Sequence, residues 1–576
     1  MKEITTTIED FKELVQKYYF VDKSYFIANF LDSLCSKVLI FTRPNKFGKT
    51  ILLSMLDYFF NIEDSIENRK LFKNLIIERL DPEYMTKQGS KPVIFISLKD
   101  IAANNFDEFL QKFSNVMADL YSKHEYLLTN PQLTPRDKTV FNEIRTKSAD
   151  YAVLSNSFKY LTYFLAKYYD KQVILLIDDY DVPFLSASEN NYYDDSICFL
   201  ARLYSGSLKT NEFLDFAILT GVANVLKGEP LSQIDNFPHY SLLSDRFSDS
   251  FGFTQDDLNQ LVRYYNLDTK IEEIENLYGG YLFGTTKIYN PWSVNNYIKN
   301  NTKPQTYFVN TSSNAIFDVL LKDINGRKRV TLERLINGGY IEKDVNEMSA
   351  YDNIATNDSS LFTTLLFCGY LTIEEKESEF MAYICKLKIP NKEILDIYKY
   401  NIISKIFEDI NAGPKEMYHA MLSGQHDKFQ KILQSILIKN ASFYDTHESF
   451  YHGLLLGLTT LLNDKYTIKS NYERDYTRFD LALFPKIEKY PAIILELKVS
   501  KEGDNLQNDA KDALEQIKSK NYLVEFKENN ITRLWKYGIA FSKEEIFIQN
   551  ETIYCNSEEF TTINSPYHHV FAGLSA

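Results

Sequence analysis

Four short, almost uninterrupted apolar runs stand out in the first part of the chain: VLIFT (38–42), VIFIS (93–97), VILLI (173–177) and LDFAIL (214–219). Strands covered on both faces have this pattern, and stretches of helical periodicity lie between the runs. Strand and helix in alternation predict a parallel sheet with right-handed crossovers. Beyond about residue 250 the pattern changes to amphipathic helices with aromatic punctuation, as in FTQDDLNQLVRYY and YGGYLFGTTKIYNPWSVNNYI. Between about 310 and 400 more helices are expected, with a hairpin in GYLTIEEKESEFMAYICKLKIP and a break at Pro390-Asn391. From roughly 440 the periodicity reads helix, three strands, helix, strand. No internal repeat interrupts this order. The expectation is an α/β chain in three parts, 1–250, 251–400 and 401–576.

Composition narrows the class. A chain of 576 residues exceeds one ordinary core. Its 44% hydrophobic and 25% charged residues suit a globular protein. The net charge of −14 offers no general basic footprint, so any nucleic-acid contact has to be local. Five scattered cysteines without a CxxC pair point to a reducing cytosol and away from a disulfide or zinc framework. The acidic, polar start MKEITTTIEDFKELVQ is not a signal peptide, and no apolar run reaches the ~18 residues of a membrane span.

The first candidate chemistry follows the first apolar run. In FTRPNKFGKTILLSML (41–56), Gly48, Lys49 and Thr50 lead from a strand into an apolar helix, the context a phosphate-binding loop needs. Amide groups at that helix N-terminus would face phosphates. Lys49 would reach the β/γ-phosphates and Thr50 would hold Mg²⁺. Arg43 stands where the glycine-rich pattern wants its first glycine, and Pro44 lacks an N–H. The partner motif is VILLIDDYDVPF, an apolar strand ending in Asp178 and Asp179. Asp178 is a candidate Mg²⁺ ligand and Asp179 a candidate orienter of the attacking water. The fourth run ends at Thr220, a candidate polar group near the γ-phosphate.

The second constellation is YTRFDLALFPKIEKYPAIILELKVS. Alternation puts Glu496 and Lys498 on one face of a strand and Ile493, Leu495, Leu497 and Val499 on the other. Asp480 lies on the strand before. Asp480 and Glu496 could hold Mg²⁺ or Mn²⁺, and Lys498 could orient a nucleophile or stabilise developing charge. Glu448, on the preceding capped helix, and Gln516, on the following one, are secondary candidates. A lone Glu-x-Lys is most often a solvated strand face, so order and context carry this reading. His452 reads as a packed or hydrogen-bonded helix residue.

YFVDKSYFIANFL, TRPNKFGKTILLSML, LLIDDYDVP, LTGVANVLKG and FGFTQDDL resemble a prokaryotic family of AAA-like ATPases with the pattern RPRRFGK-[ST] and IDEYD-x-P. The resemblance implies a P-loop ASCE/AAA-like parallel sheet with a helical lid and a winged-helix-like connector. It makes Arg43-Pro44 the family's own loop opening. It implies ATP and Mg²⁺ at Arg43, Pro44, Asn45, Lys46, Phe47, Gly48, Lys49, Thr50, Asp178 and Thr220, with Asp179 catalytic and a homo-oligomer through the ATPase module. Here Asn45-Lys46 replace Arg-Arg and Asp179 replaces a glutamate, so slow hydrolysis is expected. FYHGLLLGL, SNYERDYTRFDL, ILELK, ALEQI and YGIAF resemble a PD-(D/E)XK nuclease-like αβββαβ domain that this family carries at its C-terminus. That implies a Mg²⁺-dependent phosphodiesterase acting on nucleic acid, in defence or mobile-element biology. The rival reading is a nucleotide-dependent binding switch with an idle nuclease fold. The intact Asp480, Glu496 and Lys498 favour the enzyme, and the acidic net charge favours the switch.

Overall fold

A computed structural model describes residues 1–33, 36–226, 237–308, 320, 327–347, 357–379, 382–406, 413–440, 451–452, 455, 458–459, 462, 465–474, 477–487, 490–500, 505–519, 531–542, 545–555 and 560–563. The chain divides into two compact units, Met1–Leu395 and Asp396–Ala576.

In the first unit the four apolar runs become strands β1 (Val38–Thr42), β2 (Val93–Ser97), β3 (Val173–Asp178) and β4 (Leu214–Gly221). Every residue of β1 and β3 is buried, as expected of strands covered on both faces. A fifth strand, β5 (His239–Tyr240), joins β1 in parallel. It has only two residues and no apolar run, so periodicity does not reveal it. The sheet order is β2-β3-β4-β1-β5, with every neighbouring pair parallel. β1 and β3 therefore flank β4, and the polar groups at their C-terminal ends converge at one edge of the sheet. Open α/β sheets bind ligands at that edge.

The lid follows. Helix Gln255–Tyr264 starts with a capping box between Thr254 and Asp257, and helix Pro291–Lys299 is capped by Asn290 through the Trp292 and Ser293 amides. Between them runs the hairpin β6 (Tyr281–Phe283) and β7 (Thr286–Ile288). The connector has helix Arg327–Ile336, β8 (Ile341–Val345), helix Asp358–Phe367 and the expected hairpin β9 (Thr372–Glu379) and β10 (Ala382–Lys388). Its strands lie in the order β8-β10-β9. Helix Asp358–Phe367 buries every residue from Ser360 to Phe367, so it presents no face for reading a groove.

The second unit has one mixed sheet in the order β11 (Tyr466–Arg474), β12 (Thr477–Pro485), β13 (Ala492–Val499), β14 (Arg533–Ser542), β15 (Glu545–Cys555), β16 (Phe560–Ile563). Helix Leu506–Ser519 makes the crossover from β13 to its parallel neighbour β14. The first helix of the expected αβββαβ core lies largely outside the described residues; its three strands, crossover helix and fourth strand are present, extended by two antiparallel strands, β15 and β16, and preceded by helices Pro414–Leu422 and His426–Asn440. Gly538 on β14 lets the crossover helix approach. A Cβ there would run into the Ala510 carbonyl and lie 2.6 Å from the Leu514 amide nitrogen. The helix thus sits directly over the face that carries Glu496 and Lys498.

Candidate functional site

The loop between β1 and helix Lys49–Phe60 reverses through two left-handed residues, Lys46 (φ 71°) and Gly48 (φ 91°). Neither is Arg43 or Pro44, so the Arg-Pro opening needs no glycine. Gly48 caps the helix with no side-chain hydrogen bond, and a Cβ on it would meet nothing within 4 Å. The helix N-terminus is left open toward a ligand. Lys49 Nζ is caged by neutral oxygens, donating to the Arg43 and Pro44 carbonyls (3.0 and 3.3 Å) and to Asn45 Oδ1 (3.2 Å). Thr50 donates to Asp178 Oδ2 at 2.5 Å, and the Thr220 hydroxyl donates to Asp178 Oδ1. A loop residue, a strand end and the neighbouring strand end thus meet on one buried carboxylate.

Arg43 was expected among the nucleotide contacts. Its guanidinium instead turns into the core, fully buried, donating to Thr42 O and Tyr240 O (both 2.8 Å) and Phe247 O (3.1 Å). It lies 4.8 Å from the centre of the Phe251 ring, and burial lowers its pKa to about 9. Phe47 is likewise fully buried, its ring 5.0 Å from that of Tyr281 and 5.2 Å from that of Phe283. These two side chains brace the loop. Pro44 contributes its carbonyl to the Lys49 cage.

The residues after β3 divide the work. Asp179 takes a left-handed backbone (φ 52°) and lines the cavity. Burial, and then the adjacent Asp178 charge, push its carboxyl up to about 7 against the pull of Lys49. Tyr180 donates to the Ala223 carbonyl (2.8 Å), and Asp181 accepts from the Val222 and Ala223 amides (2.7 and 2.9 Å). Asp181 therefore shapes the turn after Thr220. Its DxxD-like spacing with Asp178 was visible in the sequence, but its partner was not.

A cavity of about 350 Å³ opens over this loop, a size that suits a small-molecule ligand. Asn45, Lys46, Phe47, Gly48, Lys49, Thr50 and Asp179 line its floor, Ile8, Tyr19, Phe20 and Val21 one wall, and Phe253, Trp292 and Asn295 the lid side. Lys46 Nζ lies 4.1 Å from the Trp292 ring centre. Lys99 also lines the cavity and pairs with Glu9 at 2.9 Å. It follows β2 in a segment without a recognisable motif, so nothing in the sequence marked it. An open helix N-terminus, a caged ammonium and a hydroxyl on a buried carboxylate fit a nucleotide phosphate and a divalent cation.

In the second unit the β12–β13 ladder ends at Leu481↔Leu495. One step further, the register sets Asp480 across from Glu496, and alternation puts both on the face of Ala482 and Ile494. The Asp480 carboxylate replaces the next rung by accepting from the Leu497 amide at 2.8 Å. Glu496 is 4% exposed. Lys498 bridges to Asp509 Oδ1 and Asp512 Oδ2, both at 2.9 Å, and these bonds, Asp512 first, raise its pKa. Asp509 and Asp512 were not among the expected residues. Their signal was the spacing Asp509, Asp512, Gln516, one stripe of a helix. Gln516 is an exposed position one turn beyond Asp512. Glu448 lies outside the described residues. His452 Nε2 donates to the Asp480 carbonyl at 2.9 Å, which ties its helix to the strand that carries the acid. Among the described residues no group of three or more His, Cys, Asp or Glu side chains is placed to hold a metal. The carboxylate pair Asp480 and Glu496 still has the oxygen chemistry that a hard divalent cation requires.

The parallel sheet with its loop and paired strand ends is that of a P-loop ATPase, and the mixed sheet with its acid-acid-lysine face is nuclease-like. Residues 5–229 match the family described as "Predicted AAA-ATPase", and residues 446–551 match the PD-(D/E)XK nuclease superfamily. The chain therefore carries an AAA-ATPase-like domain and, toward its C-terminus, a PD-(D/E)XK nuclease superfamily domain. It is similar to an Azotobacter chroococcum mcd 1 protein described as "Uncharacterized protein in vnfD 5'region", with 21% identity over 564 residues, 94% of this chain and 97% of that protein. No solved structure matches.

Proposed function

We propose that this protein binds and hydrolyses MgATP in its first unit and, in its second, cleaves phosphodiester bonds of nucleic acid with Mg²⁺ or Mn²⁺. The observation that supports it best is the convergence of Lys49, Thr50, Asp178, Asp179 and Thr220 at one sheet edge, beside a cavity of about 350 Å³. A bound divalent cation would supply charge neutralisation and polarised water at each site. Lys49 is held by weak neutral acceptors that phosphate oxygens can outcompete. Thr50 and Asp178 present the cation's oxygen donors, and Thr220 keeps Asp178 in register. Asp179 faces the cavity as the group that orients water. In the second unit Asp480 and Glu496 present paired carboxylates beside Lys498.

Such a protein would work in the cytosol, in defence or mobile-element biology, and self-associate through its ATPase module. Among the described residues Cys198 and Cys385 are free thiols, which suits a reducing compartment. Among the described residues no helix is long and apolar enough to cross a membrane.

The test is cleavage of single- and double-stranded DNA and RNA with Mg²⁺ or Mn²⁺, with and without ATP. Metal-dependent cleavage that Glu496→Gln abolishes is the expected result. Metal-independent cleavage, or cleavage unaffected by Glu496→Gln, would overturn the nuclease half. A second reading, a nucleotide-dependent binding switch with an idle nuclease fold, draws support from Lys498, which is tied to Asp509 and Asp512. Nucleotide-dependent binding of nucleic acid without cleavage would favour it.

A further inference from the structure

The connector also reaches the phosphate loop, where Gly369 lies against Pro44. β5 lies against β1, with Ile40 paired to His239 and Phe41 to Tyr240. His239 Nε2 hydrogen-bonds the Thr42 hydroxyl at 2.8 Å, at the last residue before the loop. Its other nitrogen, Nδ1, stands 3.4 Å from Glu347 Oε2. Glu347 lies two residues beyond the end of β8, in the connector. Its second oxygen accepts from the Ser241 hydroxyl, just past β5. One connector carboxylate thus holds Ser241 by a hydrogen bond and faces His239, without a hydrogen bond, in the segment that borders the loop.

The same region is contacted twice more. Lys376 on β9 donates to the Leu243 carbonyl at 2.6 Å. Gly369, at φ 83°, comes so close to the loop that a Cβ on it would lie 3.1 Å from Pro44 Cβ. The Pro44 and Arg43 carbonyls are the cage of Lys49. The Arg43 guanidinium rests on the Tyr240 carbonyl, between His239, which Glu347 faces, and Ser241, which it hydrogen-bonds, and the Glu347 charge partly offsets the effect of burying it. A ligand that drew Lys49 out of its cage would act on Arg43 and Pro44, the residues that the connector borders.

We propose that Glu347 is a positioning residue for the nucleotide site: through His239 and Ser241 it sets the phosphate-loop backbone, so that nucleotide occupancy and connector docking are coupled. This rests on the nucleotide reading above. Coupling is reciprocal, so a connector change that alters nucleotide affinity implies that nucleotide alters connector docking by the same factor.

The test uses the full chain and MgADP. Titration calorimetry is run on the parent, Glu347→Gln, His239→Ala, the double variant and Lys386→Ala. Lys386 pairs with Glu375 at 2.6 Å inside the connector's own hairpin, so it serves as a purely structural control. Glu347→Gln keeps an acceptor for Ser241 but removes the charge facing His239. It is expected to weaken MgADP about tenfold, within the usual range of site-to-site coupling. His239→Ala should do the same, the double variant should lose no more than either single one, and Lys386→Ala should bind like the parent. In the parent, MgADP should slow hydrogen exchange across 341–347, a readout that needs no variant to fold. Parent-like affinity in Glu347→Gln, additive losses in the double variant, tenfold weakening in Lys386→Ala, or unchanged exchange at 341–347 would each overturn the coupling. Failure of the folded parent to bind MgADP or MgATP would instead bring down the nucleotide reading, and this inference with it.

Discussion

In the proposed nucleotide site Lys49 and Asp179 have different jobs, and single substitutions would separate them. Lys49 is held by three oxygens of its own loop, so Lys49→Ala removes both the cation and the loop's internal tie. Its MgATP affinity is expected to fall about a hundredfold or more, read by calorimetry. Asp179 lines the cavity without bracing the loop. Asp179→Asn, which tolerates a left-handed backbone, should keep nucleotide affinity and lose most turnover. Because burial raises the Asp179 carboxyl to about 7, the ionised form that can orient water is depleted below that pH. The kcat/KM for MgATP, which reports the free protein, should therefore rise with pH through about 7, measured on the parent at subsaturating MgATP. Asp179→Glu tests the short side chain itself, and turnover at least equal to the parent is expected. On the same helix, about two turns beyond Thr50, Asp57 is pushed up to about 6 by burial. An acid whose folded pKa exceeds its unfolded value weakens the fold as pH rises from about 4 to about 6, and the full cost remains above that. Asp57→Asn should stabilise the fold at pH 7.5 by on the order of 1 kcal/mol, read as a higher melting temperature, and give no gain near pH 3.5.

Among the elements, helix Leu506–Ser519 is the most exacting. It packs on β14 at Gly538, where a Cβ has no room, and it carries the two carboxylates that hold Lys498. Gly538→Ala has to push the helix off the sheet. The second unit should lose roughly 2–4 kcal/mol, read as a lower denaturation midpoint, and metal-dependent cleavage should fall as Lys498 loses its support. The phosphate-loop helix Lys49–Phe60 is built the other way. Its buried side, including Leu52, Leu53, Leu56 and Phe59, anchors it firmly, while its N-terminus is left without a side-chain cap. Uncapped amides are tolerable at a site meant for an anion.

At the scale of the molecule, the division at Leu395 places the cavity over the phosphate loop wholly within the first unit and the acid-acid-lysine face wholly within the second. A ligand that binds only the folded first unit should stabilise that unit by mass action, by about 2.7 kcal/mol at a hundredfold excess over its Kd. Scanning calorimetry is expected to show MgADP raising one transition, with the transition of the second unit moving less. A common shift of a single transition would mean that the units melt as one. The connector belongs to the first unit and lies between the two family matches, at 5–229 and 446–551.

What the sequence determined on its own is what depends on local order. VLIFT, VIFIS, VILLI and LDFAIL announce strands because burial on both faces demands unbroken apolar residues. Gly48-Lys49-Thr50 and Asp178 announce a site because a loop entering a helix and a carboxylate ending a strand have few other uses together. Glu496 and Lys498 share a face because a strand alternates. Tertiary structure alone decided the rest, because those residues act through partners distant in the chain. β5 is a strand only because β1 supplies its hydrogen bonds. Arg43 is a buried brace because the carbonyls of Tyr240 and Phe247 lie within its reach. Asp509 and Asp512 meet Lys498 because the crossover helix closes over Gly538. Glu347 meets His239 across 107 intervening residues, a contact that no local pattern encodes.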